Sequence, residues 1–404
     1  MISNAPPCVA RQASTCCGAA KEKLSRPSII ACELYVVVLP QHLPLQTLHT
    51  HRLPQDGQHR RLLRGYVSPN GLSPNPSDLN PQTILTLLLS ATSLTPPSSP
   101  GTIPIAVIGG TGLQSLPGFT PVASLNPSTP WGSPSSPITV LHHTSPSSGG
   151  KPIPVAFLSR HGLHHQIAPH EVPARANIAA LRSLGVRTII AFSAVGSLQE
   201  EIKPRDFVIP DQVIDRTKGI RPFTFFEGGM VGHVGFADPF DEGVAKVVRQ
   251  CGHSLEGDGV RLHDKGTIIC MEGPQFSTRA ESNMYRSWGG SVINMSALPE
   301  AKLAREAEIA YQMICMSTDY DCWHVSEGDV TVEMVMGNMK ANAENARRFV
   351  GAVLDELSKD EYKDLVAAKH LEGQTKFGGS ITAPAGRGKG AKEKLSWLFP
   401  GYFD

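Results

Sequence analysis

The sequence predicts an α/β fold: one domain with a mixed, mostly parallel central β-sheet flanked by helices. Three observations predict it. From Pro104 onward, short apolar runs alternate with longer segments of helical period. Those runs are bounded by Gly, Pro, Ser and Asn, which end strands and open turns. The alternation stops near Leu357, so although 404 residues could hold two or three domains, one unit of about residues 101–360 accounts for the pattern.

In chain order, strands are expected at Ile105–Ile108, Ile138–Leu141, Val155–Leu158, Thr188–Ser193, Phe207–Ile209, Gly266–Met271, Ser291–Met295 and Ala310–Ser317. Most are near-continuous apolar runs, as strands buried on both faces require. Helices are expected at about Val172–Leu184, closed by Gly185, and at Glu242–Cys251, Thr278–Trp288, Pro299–Ala307 and Thr331–Leu357.

The flanks read differently. Residues 1–100 are rich in Pro, Ser, Thr and Leu, with few acids (Glu22, Glu33, Asp56, Asp78) and no sustained periodicity. They read as a disordered low-complexity extension or a misassigned gene start. A mitochondrial transit peptide would share the scattered Arg, but no amphipathic Arg-bearing helix is evident and Pro6, Pro7 and Pro27 interrupt the start. Residues 361–404 read as a Gly-rich linker ending in an apolar tail, LSWLFPGYF, that is either a docking element or a frayed end.

Charge and cysteine usage narrow the partners. Lys and Arg number 37 against 36 Asp and Glu, a net charge of +1 with no basic stripe, which argues against nucleic acid. The apolar runs Ile29–Leu39 and Ile84–Leu89 are too short to span a bilayer, so no membrane association is expected. The eight cysteines show no CxxC or Cys/His spacing suited to zinc, so buried, reduced thiols and no metal are expected.

Chemistry-bearing residues gather at expected strand ends. Asp319 and Asp321, in STDYDCW, follow an apolar strand, and alternation lets both face one way while Tyr320 faces the other. Paired carboxyls can accept from an exocyclic amine and, once protonated, donate to a ring nitrogen, the pattern of a 6-aminopurine edge. Alone, the same residues also suit a polar turn with a capping aspartate. Gly109-Gly110-Thr111-Gly112 can bring backbone N–H groups and a hydroxyl to an anion, though a plain tight turn fits equally. Arg160 and His161 in SRHG, and Ser193 to Ser197 in SAVGS, supply further donors. Phe276, in EGPQFS, can stack on a purine or pack under the next helix; Met295 and Ser296 end another strand.

Together these runs resemble the 5′-methylthioadenosine phosphorylases of the purine nucleoside phosphorylase family. The resemblance covers about Pro104 to Leu357 and rests on GGTG, SRHG, GSLQEEIKPRDFVIPDQVIDRT, EGPQFSTRAES, NMSALPE and STDYDCW in the family's order and spacing. It implies a phosphorylase-type domain, a homotrimer with sites near subunit borders, and cytoplasmic and nuclear residence. No cofactor is implied beyond inorganic phosphate as co-substrate. By resemblance, Thr111, Arg160, His161, Ser193, Ala194 and Ser296 hold phosphate, with Ser193 and Ser296 standing where threonine is common. By the same resemblance Met295 lies under the ribose, Phe276 lines the base pocket, Asp319 and Asp321 read adenine as the catalytic pair, and Tyr320 belongs with them to the substrate-binding residues. Ser277 and Val332 bear on substrate specificity, and His233 and Leu398 reach a neighbouring subunit's site. Phosphorolysis of methylthioadenosine is the expected reaction. A 6-oxopurine nucleoside phosphorylase, which typically presents asparagine and glutamate to the base, and a silent nucleoside-binding protein are the alternatives.

Overall fold

The computed structural model describes residues 103–403 except 112, 114, 115, 117, 118, 145–151, 325–331, 379 and 380. The disordered extension expected at residues 1–100 lies outside the described residues. Among the described residues eleven strands form one mixed sheet: β1 (Ile105–Gly109), β2 (Thr120–Leu125), β3 (Ile138–Thr144), β4 (Pro152–Ser159), β5 (Thr188–Ser197), β6 (Phe207–Val208), β7 (Gln212–Arg216), β8 (Leu262–His263), β9 (Thr267–Met271), β10 (Val292–Asn294) and β11 (Ala310–Tyr320). Its main order is β2-β3-β4-β1-β5-β10-β9-β7, with β11, β6 and β8 continuing from the side of β5. The helices that matter below are α1 (Ala174–Ser183), α2 (Glu242–Gln250), α3 (Arg279–Ser287), α4 (Ala297–Glu306), α5 (Val332–Leu357), α6 (Lys363–Val366), α7 (Gln374–Gly378) and α8 (Lys389–Leu398).

Strand alternation explains the two cores. Ala106 and Ile108 of β1 and Ile189 and Ala191 of β5 join a cluster with α1, α4 and α8; Ile105, Val107, Ile190 and Phe192 join another with α2 and α5. Both faces of the central strands are therefore buried, which is why they read as continuous apolar runs rather than alternating ones.

The strand β5 shapes the site. Its first half pairs in parallel with β1, and its end pairs antiparallel with β10 through Gly196 and Ser197. Along its other edge runs β11 in parallel, with a register shift between Ser317 and Asp319. β5 and β11 thus outrun the expected ends at Ser193 and Ser317, because each finds a partner beyond the point where β1 stops. Ligands in open α/β sheets gather where strand connections diverge in this way.

Two expectations need correction. β2, β7 and β8 were not expected: β2 (TPVASL) is an exposed edge strand without apolar alternation, and β8 is two residues long. The described residues of 361–404 form short helices rather than a linker, and the apolar tail docks: Leu395, Leu398, Phe399 and Phe403 are buried in the cluster that holds α1 and α4. Ala391, Leu395 and Leu398 share one face of α8, the spacing that lets a short amphipathic helix dock on its own domain.

Candidate active site

A cavity of about 850 Å³ opens at the ends of β1, β4, β5, β10 and β11, roofed by one face of α5. Of the residues the sequence singled out, Thr111, Arg160, His161, Ser193, Ala194 and Ser296 all line it. So do Met295, Phe276, Ser277, Asp319 and Asp321.

Arg160 follows β4 and is almost fully buried. Its Nε and Nη2 donate to the two carboxylate oxygens of Glu300, each at 2.8 Å, and Nη1 donates to the Phe192 carbonyl at 2.7 Å. Tyr311 donates its hydroxyl to the same Glu300 at 2.7 Å. Burial alone would lower the Arg160 pKa; the charge and hydrogen bonds of Glu300 outweigh it and hold the guanidinium above its ordinary value. Sequence reasoning expected the planar fork to face an anion. In the structure Glu300 takes most of it, leaving one N–H on each terminal nitrogen. Gly110 lets the arginine lie there, since a Cβ at that position would sit 2.6 Å from Nη1 and from the Phe192 carbonyl oxygen.

Beside it, the His161 Nδ1 donates to the Ile167 carbonyl at 2.9 Å. Burial, reinforced by the Arg160 charge, lowers the His161 pKa to about 4. His165 Nε2 lies 3.4 Å from Thr111 Oγ1, and its pKa is also lowered by burial. Ser193 of β5 and Ser296 at the start of α4 face each other with hydroxyls 2.8 Å apart, and Asn294 Nδ2 donates to Ser193 at 3.2 Å. Hydroxyls and N–H groups from four strand ends therefore converge on one end of the cavity.

The acidic end is built differently. Asp319 is buried on β11 just past the register shift; Thr318 Oγ1 donates to its Oδ2 at 2.7 Å, which leaves Oδ1 uncommitted to that contact. Burial pushes the Asp319 carboxyl up to about 6; the Thr318 hydrogen bond works against this and the Asp321 charge adds to it. Asp321 is buried too, its pKa raised by burial, and among the described residues its Oδ2 has no hydrogen-bond partner. Both acids flank Gly196, where a Cβ would lie 3.1 Å from Asp319 Oδ1 and 3.4 Å from the Asp321 Cβ. A buried acceptor without a partner and a carboxyl that keeps its proton up to about pH 6 are together equipped to read a base edge.

Some expected residues stand elsewhere. Tyr320 points away from the cavity, donating its hydroxyl to the Glu200 carbonyl at 3.1 Å and stacking on His324. Leu398 is buried in the core of its own chain, and His233 is exposed on a loop. Val332 opens α5, but its side chain lies outside the described residues. Sequence reasoning missed Glu300, although NMSALPE contains it, and missed Asn294 and Thr318, neighbours of residues it named. It also missed the face of α5 formed by Met336, Met339, Lys340, Ala343 and Arg347, whose near-helical spacing was a readable signal.

Such a cavity, with anion donors at one end and two buried acids at the other, at the strand ends of a mixed α/β sheet, defines a nucleoside phosphorylase-type site. The chain belongs to the phosphorylase superfamily, whose family profile matches residues 104–355. It is 80% identical over 300 residues to the S-methyl-5′-thioadenosine phosphorylase of Aspergillus fumigatus, covering 74% of this chain and 87% of that one. Among solved structures, a methylthioadenosine phosphorylase from an antarctic soil metagenomic library matches with a TM-score of 0.66 and 41% identity, over 75% of this chain and 100% of that one. The methylthioadenosine phosphorylase of Schistosoma mansoni in complex with adenine matches with a TM-score of 0.60 and 34% identity, over 67% and 97%.

Proposed function

We propose that the protein catalyses phosphorolysis of S-methyl-5′-thioadenosine to adenine and 5-methylthioribose 1-phosphate, as a pentosyltransferase. The observation that carries this is the buried Asp319 and Asp321 pair beside Gly196, with Asp321 Oδ2 left without a hydrogen-bond partner among the described residues. The names of the relatives, and adenine in the Schistosoma mansoni structure, support the same reading.

Cleaving the N-glycosidic bond builds positive charge on the ribose and negative charge on the departing purine, so both ends must be stabilised together. Neutral Asp319 donates to the purine N7 and Asp321 accepts from the 6-amino group. A nucleoside entering the cavity displaces water and raises the Asp319 pKa further, favouring the donor form. Thr111, Arg160, His161, Ser193, Ala194 and Ser296 hold inorganic phosphate as nucleophile beneath the ribose. Because Arg160 is paired with Glu300, hydrogen-bond geometry rather than uncompensated charge places the phosphate. We further propose a homotrimer in which the exposed His233 serves an adjacent site. Adenine release assayed with and without phosphate tests the reading: release that ignores phosphate would sink it.

A further inference from the structure

The anion end contains a hydrogen-bonding asymmetry at His161, and its consequence for anion choice rests on the phosphorolysis reading. A carbonyl only accepts, so the 2.9 Å contact with the Ile167 oxygen places the hydrogen on Nδ1. In the neutral ring Nε2 then carries a bare lone pair. Among the described residues no hydrogen-bond partner occupies that nitrogen, and the ring lines the cavity. In the empty cavity its neighbours keep the ring neutral: the site is buried, Arg160 brings a positive charge, and the His165 ring lies 4.7 Å away, while the Ile167 carbonyl and Glu300 pull the other way.

We propose that His161 is the acceptor of the anion site, so that the site selects oxyanions that carry a hydrogen, such as hydrogen phosphate or hydrogen arsenate, over sulfate. Phosphate and sulfate are tetrahedral and of similar size. Near neutral pH phosphate keeps at least one O–H, whereas sulfate keeps none. The remaining N–H groups of Arg160 and the hydroxyls of Thr111, Ser193 and Ser296 serve either anion. Among these groups of the described residues Nε2 distinguishes the two anions, because a sulfate oxygen there sets one lone pair against another and covers an acceptor it cannot pair.

The test uses the full chain near neutral pH at constant ionic strength, with sulfate as competitor against phosphate in adenine release and arsenate as replacement co-substrate. Arsenate should support release with a KM within about tenfold of that for phosphate, while the sulfate Ki should exceed the phosphate KM by on the order of 10²-fold. Sulfate binding within about threefold of phosphate would overturn the proposal. A second arm uses His161→Gln, whose amide can turn either a donor or an acceptor to the anion, so the sulfate to phosphate ratio should shrink by about tenfold or more. An unchanged ratio in a folded variant also overturns it, and the wild-type ratio decides the matter if the variant does not fold. Adenine release independent of phosphate would instead fail the phosphorolysis reading on which the proposal stands.

Discussion

Glu300 grips Arg160 by two parallel hydrogen bonds of 2.8 Å, with both side chains almost fully buried. The pair links β4 to α4, and α4 begins one residue after Ser296, so the two halves of the anion end are tied through one ion pair. Tyr311 closes the arrangement from β11. An arginine held this way keeps its position when the cavity is empty, which lowers the ordering cost of binding an anion.

Replacing Glu300 with Gln keeps the shape but leaves a buried guanidinium without its counter-charge. Breaking a buried pair typically costs about 3–5 kcal/mol, so melting temperature should fall markedly. In the folded fraction, phosphate KM should change more than nucleoside KM, because the displaced group belongs to the anion end. Arg160→Lys should shift the same constant, since an ammonium cannot reproduce the parallel contacts. Equal changes in both constants for both variants would argue that the pair is only structural.

For Asp319 the expectation concerns pH. In the proposed mechanism its neutral form is the donor to N7, and burial keeps that form populated up to about pH 6 in the empty cavity. Affinity for adenine should therefore fall as pH rises above about 6, approaching tenfold per unit, and binding near pH 7.5 should take up a proton. Calorimetry in buffers of differing ionisation enthalpy reads that uptake directly. Asp319→Asn should abolish the uptake and lower kcat at least ~10²-fold. A wild-type binding enthalpy independent of buffer would remove Asp319 from the donor role.

Much of the site was legible because its residues sit where apolar runs end in Gly, Ser or Asp. Arg160 and His161 after β4, Met295 and Ser296 after β10, and Asp319 on β11 all obey that rule. Tyr320 broke none of it: alternation correctly turns it away from its two neighbours, and the error lay in treating the tripeptide as a unit. Glu300 and Arg160, 140 residues apart, could not be paired from sequence, since only the fold brings α4 under β4. The tail left its partner open for a related reason: apolar residues declare that they will be buried but not against which surface.

Gly196 offers a steric test of the acidic end. A methyl group there would press on Asp319 Oδ1 and on Ile293 Cγ2, each 3.1 Å away, and neither belongs to a long flexible side chain. Gly196→Ala should displace Asp319 by a few tenths of an ångström and lower kcat/KM by roughly tenfold or more, as small misplacements of reacting groups do. Circular dichroism and melting temperature should change little by comparison. Full activity in this variant would show that Asp319 tolerates displacement and is not held for catalysis.

The tail gives the sharpest contrast between a structural and a functional role. Phe399 is 1% exposed; Arg182 lies over its ring at 5.7 Å and Tyr402 stacks on it at 5.0 Å. Tyr402 in turn donates to the buried Glu308 at 3.1 Å, so the last turn of chain is fastened by both packing and a charged hydrogen bond. Phe399→Ala should cost about 3–5 kcal/mol through lost burial and the cavity left behind. Melting temperature should drop by roughly 5–15 °C. Because Leu398 and Phe399 pack against their own domain, KM for methylthioadenosine in the folded protein should stay near wild type. A several-fold rise in that KM with the melting temperature unchanged would restore the tail to the wall of a neighbouring subunit's site.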